Sequence, residues 1–151
     1  QQQLSLQDVD LSELIKKLLQ QKQSVISKKG IQIVNHLSEQ LIVKGEIFWL
    51  EQAVSNILDN ALDFTPNGQQ ILLHASQENS TLVLSIENQG QQIPDYALAQ
   101  VFERYYSLPR PNSQKKSTGI GLTLVKEVMV LHGGSVSIDN TEQGVRVSLV
   151  F

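Results

Sequence analysis

Between Glu46 and the stop signal Thr65-Pro66-Asn67-Gly68 lies a run long enough for one helix, and its two faces differ sharply in chemistry. At about 100° per residue, Ile47, Leu50, Val54, Ile57, Leu58 and Ala61 gather on one side, while Asn56, Asn60 and Asp63 gather on the opposite one. A single apolar stripe obliges such a helix to lie on another layer. The rest of the chain supplies that layer. Helical spacing predicts a first helix from Asp10 to about Lys28, with Asp10 and Glu13 as a capping box and Gly30 as its end. Short strands are expected at 31–34 and 41–43, a strand pair at 71–75 and 81–86, and a closing hairpin at 135–138 and 145–150. A short helix is expected from Pro94 to near Val101, and a third long helix from Gly119 to about His132, ended by Gly133-Gly134. Three long helices and six strands in mixed order predict an α+β two-layer sandwich, a mixed sheet covered on one face by helices.

Composition removes several function classes. At 151 residues with 40% apolar and 18% charged residues, the chain reads as one globular domain rather than a disordered segment. No apolar run reaches the ~20 residues of a membrane span, and the opening Gln1-Gln2-Gln3-Leu4-Ser5 lacks the basic and apolar regions of a signal peptide. The absence of cysteine excludes disulfides, thiolate metal sites and a cysteine nucleophile. His36, His74 and His132 are scattered, so no metal cluster is expected. A net charge of −3 argues against a nucleic-acid partner. One segment runs against that average: Arg104, Arg110, Lys115 and Lys116 fall within residues 104–116, which contain no Asp or Glu. A basic loop of this kind suits an anion.

Three elements carry candidate chemistry. Asn56, Asn60 and Asp63 form either a solvated polar face or a row of oxygens able to hold a hard cation such as Mg²⁺ beside a phosphate. Ser117-Thr118-Gly119-Ile120-Gly121-Leu122 opens the third long helix, where glycines and free N–H groups favour phosphate. It is neither a Walker loop, since no Lys-Ser/Thr follows, nor a dinucleotide fingerprint, since Leu124 stands where a third glycine belongs. The third is Glu87-Asn88-Gln89-Gly90-Gln91-Gln92-Ile93-Pro94, a strand-to-helix turn in which Gly90 takes a positive φ.

In that order the three elements resemble the nucleotide-binding domain of sensor histidine kinases, within the superfamily shared with gyrase, MutL and heat-shock chaperone ATPases. The resemblance covers nearly the whole chain and implies the Bergerat ATP-binding fold. Asn56-Ile57-Leu58-Asp59-Asn60-Ala61 is similar to the family's N box, Phe102-Glu103-Arg104-Tyr105-Tyr106 to its F box, and Gly119-Ile120-Gly121-Leu122 to its G2 box. Ile93-Pro94-Asp95-Tyr96-Ala97-Leu98 with Ser107-Leu108-Pro109-Arg110 resembles, more narrowly, the CreC-type subfamily. The resemblance implies ATP and Mg²⁺ as cofactors, with Asn60 on the metal and Asn56 supporting it as the catalytic pair. It implies nucleotide contacts from Asn60, Asp63, Asn88, Gly90, Ile93, Arg104, Tyr105, Arg110, Thr118, Gly119, Ile120, Gly121 and Leu122, with 102–118 as the ATP lid. Hydrolytic members carry a general-base glutamate where this chain has Asn56; an amide cannot take that proton, so phosphoryl transfer to a protein is implied rather than hydrolysis.

Two departures bear on this. No histidine here has the setting of a phosphoacceptor, so the chain is expected to follow absent dimerisation helices, with 1–9 as a tail. The acceptor then lies on a separate domain of the same parent protein, and a response regulator is the downstream partner. The fragment is expected to be monomeric, its parent a homodimer in a bacterial inner membrane with this domain in the cytoplasm. In the G1 box, Asn88 replaces the adenine-reading aspartate and Gln92 replaces the second glycine, where a side chain is expected to crowd the base pocket. These two changes motivate the alternative of a nucleotide-impaired docking or conformational-transmission module. A free-standing serine kinase of the anti-sigma type ranks last.

Overall fold

The computed structural model describes residues 5–103 and 121–151. Its elements in chain order are β1 (Gln7–Asp10), α1 (Leu11–Gln21), α2 (Gln23–Lys29), β2 (Gln32–Asn35), β3 (Ile42–Gly45), α3 (Ile47–Phe64), β4 (Gln70–Glu78) and β5 (Thr81–Gln89). Then follow α4 (Asp95–Leu98), α5 (Gly121–Leu131), β6 (Ser135–Asn140) and β7 (Gly144–Val150). Five strands form one sheet in the order β2-β4-β5-β7-β6, with β2 parallel to β4 and the remaining pairs antiparallel. The predicted α+β sandwich with a mixed sheet is the observed architecture.

Strand alternation decides which face is covered. On one face Ile71, Leu73, Leu84, Ile86 and Leu149 are buried and join Leu50, Val54, Ile57, Leu58, Val125 and Met129 of α3 and α5 in a single core. The other face carries mostly polar cross-strand rows: His74, Ser85, Ser148 and Ser137 in one, Leu72, Glu87, Arg146 and Asp139 in the next. Arg146 donates to Asp139 at 2.6 Å, and Ser85 and Ser148 approach to 3.4 Å. One face is therefore oily and one wet, as the period-2 pattern of an antiparallel sheet with helices on one side requires.

The predicted first helix is two. It breaks at Lys22, whose ammonium reaches across to Ser55 Oγ and Asp59 Oδ1 on α3, each at 2.8 Å. Asp10 does cap α1, accepting from Ser12 N–H at 3.0 Å and from Leu41 N–H at 3.2 Å. Glu13 does not complete a box; it faces solvent 3.8 Å from Lys16. Residues 7–9, expected in the tail, form β1 together with Asp10 and pair with β3. Only Val9 in that strand is buried, so a Gln-Asp-Val-Asp string shows no period to read. The short helix is confined to Asp95–Leu98.

His132 has a structural role at the end of α5. Its Nδ1 donates to the Val128 carbonyl at 2.8 Å and its Nε2 accepts from Glu46 N–H at 3.0 Å, which joins α5 to the start of α3. The stability of this core is testable at its centre. Leu84 is fully buried, and Leu84→Ala is expected to cost about 2–5 kcal/mol with an unchanged denaturant slope, measured by urea unfolding.

Candidate functional site

An apolar cleft opens between α3 and the sheet, about 70 Å³ in its interior. Ile57, Asn60, Ala61 and Phe64 of α3 form one wall, and Ile86, Asn88, Val145, Val147 and Ile138 of β5, β7 and β6 form the floor. Gln91, Ile93, Val101 and Leu122 complete the rim. Among these lining residues only Asn60, Asn88 and Gln91 carry polar side chains. A slot of aliphatic walls with a few placed amides suits a flat, largely apolar ring bearing a small number of hydrogen-bonding groups.

Beside the cleft, two glycines let backbones come close. Gly90, at φ +142°, lies so close to the end of α3 that a Cβ there would stand 2.9 Å from the Phe64 carbonyl oxygen. Gly144 presses on β5 from the other side, where a Cβ would fall 1.9 Å from the Asn88 carbonyl oxygen. Asn88, only 7% exposed, is held between these contacts; its Nδ2 donates to the Gln89 carbonyl at 3.2 Å. Lys29 closes the far end of α3 by donating to the Leu62 carbonyl, with the Asp63 carbonyl 3.5 Å away. Burial holds its ammonium below the ordinary lysine range, and the Asp63 carboxylate pulls the other way.

The structure brings Asn60, Asn88, Ile93 and Leu122 to one cleft. Asn56 lies one turn before Asn60 and is not among the lining residues, nor is Asp63. Gly90 borders a separate shallow depression with Pro66, Gln69, Gln89 and Gln143. Gly121 opens α5. Arg104, Tyr105, Arg110, Thr118, Gly119 and Ile120, with most of the expected lid, lie outside the described residues. One expectation is corrected: Gln92 does not crowd the pocket. Its side chain is exposed and donates to the Thr141 carbonyl on the β6–β7 turn. Sequence reasoning missed Gly144, for which a glycine in a predicted hairpin gives no hint of a partner strand's carbonyl. It also missed Phe64, read only as the last residue of a helix.

Residues 45–151 match the family model described as histidine kinase-, DNA gyrase B-, and HSP90-like ATPase. The chain belongs to that ATPase family. It is 40% identical over 144 residues to the sensor protein CreC of Escherichia coli K12, covering 95% of this chain and 30% of CreC. It is 29% identical over 140 residues to the sensor histidine kinase CusS of the same strain, covering 91% of this chain and 29% of CusS. The chain thus spans about 30% of the length of these curated relatives. Among solved structures, the catalytic domain of histidine kinase ThkA superposes with a TM-score of 0.86 at 22% identity, covering 98% of this chain and 97% of that one. The mycobacterial sensor histidine kinase MprB does so at 0.83 and 28% identity, covering 97% and 96%. Among the described residues no helix is long and apolar enough to cross a membrane.

Of the two close glycine contacts, the one at Gly144 is the tighter. Gly144→Ala has no room without separating β7 from β5, and a fall in thermal midpoint of several degrees is expected. Calorimetric melting of the variant beside wild type measures it.

Proposed function

We propose that this chain is the ATP-binding catalytic domain of a sensor histidine kinase. It transfers the γ-phosphate of ATP to a histidine on a dimerisation domain of the same parent protein, which then serves a response regulator. The observation that carries this is the cleft itself: two amides, Asn60 on the helix wall and Asn88 on the sheet floor of an apolar slot, with Leu122 of the first turn of α5 at its rim. Family membership and relatives named as sensor kinases support the same reading.

In this proposal the aliphatic walls hold the adenine ring and Asn88 reads its amino group. The Asn88 nitrogen is committed to the Gln89 carbonyl, so the side-chain oxygen is the group available to accept from the base. Asn60 would hold Mg²⁺, which would supply charge neutralisation between the phosphates. The donor fits that ion: Mg²⁺ takes one or two side-chain oxygens plus phosphates and water, and Asn60 offers one amide oxygen to the cleft. The start of α5 contributes backbone N–H groups and a positive dipole end toward the phosphates. Asn56, where hydrolytic members carry glutamate, offers no base to activate water. The histidine-bearing domain, the response regulator, the homodimeric parent and its membrane location with this domain on the cytoplasmic side belong to the same proposal. The docking-module alternative loses one of its two grounds, because the Gln92 side chain bonds Thr141 and leaves the cleft open.

Isothermal titration with Mg-ATP tests the proposal, and no heat at millimolar nucleotide would overturn it. Asn60→Ala is expected to weaken Mg-ATP binding at least about tenfold while leaving nucleotide-free melting near wild type. Asn88→Asp is expected to tighten it by about 5- to 30-fold, because a charged acceptor replaces a neutral one.

A further inference from the structure

The turn between β6 and β7 holds the segment that follows β5 through a set of hydrogen bonds. Gly90 N–H donates to the Gln143 carbonyl at 2.9 Å, and the Gln92 side chain donates to the Thr141 carbonyl. At the next residue both backbone groups are taken by one side chain. Ile93 N–H donates to Asn140 Oδ1 at 2.9 Å, and Asn140 Nδ2 donates to the Ile93 carbonyl at 2.7 Å. A carboxamide can do this because it carries an acceptor and a donor side by side, copying one edge of an antiparallel peptide pair.

Asn140 is itself firmly placed. It pairs across the ladder with Val145, a floor residue of the cleft, at the end of β6. The turn beyond it is closed by Thr141 N–H to the Gly144 carbonyl at 2.8 Å and by Gly144 N–H to Thr141 Oγ1 at 3.1 Å. Asn140 does not line the cleft, whereas Ile93 does. No secondary structure holds Ile93, which sits in the link between β5 and α4. Without the Asn140 side chain this rim residue would be free to swing away from Ile57 and Ala61 on the far wall.

We propose that Asn140 is a positioning residue for base recognition: by gripping Ile93 at both its N–H and its carbonyl, it sets the width of the slot and so keeps a purine edge aligned with Asn88. This rests on the nucleotide-binding reading above and deepens it. The residue acts at the base end alone. Its loss should therefore affect ATP and ADP equally and should erode the preference for adenine over guanine, which a general loss of stability would not do.

The test compares the 151-residue chain with Asn140→Ala, Asn140→Asp and Glu142→Ala. For each, Kd is measured calorimetrically for Mg-ATP, Mg-ADP and Mg-GTP, alongside the thermal midpoint without nucleotide. Asn140→Ala is expected to raise Kd for ATP and ADP together by about tenfold and to shrink the ATP-over-GTP preference by a similar factor. Asn140→Asp keeps the acceptor for Ile93 N–H but sets a carboxylate against the Ile93 carbonyl, so it should show the same loss of preference even where the alanine variant fails to fold. Glu142→Ala, on the exposed tip of the same turn, should match wild type. An ATP-over-GTP ratio unchanged in the Asn140 variants overturns the proposal, whether or not their midpoints fall. Wild type that binds none of the three nucleotides overturns the underlying reading, and this proposal with it.

Discussion

Everything around the cleft depends on how closely three backbones approach at Asn88. A β-strand normally keeps its neighbours about 4.7–4.9 Å away, and its end is ordinarily free to diverge from the helix above. Here Gly144 lets β7 stay paired beside the Asn88 carbonyl, and Gly90 lets the end of β5 turn directly under the Phe64 carbonyl at the end of α3. The missing Cβ of Gly90 thus lets the sheet floor approach the end of the helix wall, and that of Gly144 lets β7 lie close beside β5. The aliphatic lining then follows from ordinary alternation, since Ile86, Val145, Val147 and Ile138 all point to the covered face.

A second consequence concerns polarity. An amide buried to 7% exposure costs free energy unless its groups are satisfied. Asn88 meets part of that need within its own strand, through the Gln89 carbonyl. The same economy recurs at Gln89, whose Oε1 accepts from Gln70 N–H and whose Nε2 donates to Gln143. Around this turn glutamine and asparagine side chains stand in for missing backbone partners where the strands run out. That explains why a segment rich in Gln, with one glycine fewer than the family pattern, still holds a defined course: the β6–β7 turn supplies the partners.

The helix layer is held by comparable long-range bonds rather than by local propensity. Lys22 stands where a helical pattern that the spacing of apolar residues would have continued is broken, and its ammonium bonds Ser55 and Asp59. Lys29 finishes α3 from outside that helix. His132 connects α5 to the residue before α3 with both ring nitrogens engaged. These contacts keep α3 fixed on the sheet, so that Asn60 faces the cleft while Asn56, one turn earlier, does not line it.

Periodicity alone was sufficient to determine the layers: α3, the β4–β5 pair and the closing hairpin are strong patterns because one face of each must exclude water. The resemblance of the chain's motifs to the kinase nucleotide-binding domain pointed to Asn60, Asn88, Ile93 and Leu122, which the fold brings to one cleft. What tertiary structure alone decided was direction and partner. The side chain of Gln92 turns away from the cleft because the Thr141 carbonyl lies within its reach, a residue 49 positions later. Val9 gives a four-residue strand no period, and only the presence of β3 makes β1 a strand. Gly144 and Asn140 have no local signature, because their roles depend on backbone groups about 50 residues away in sequence that pairing of β5 with β7 brings within contact.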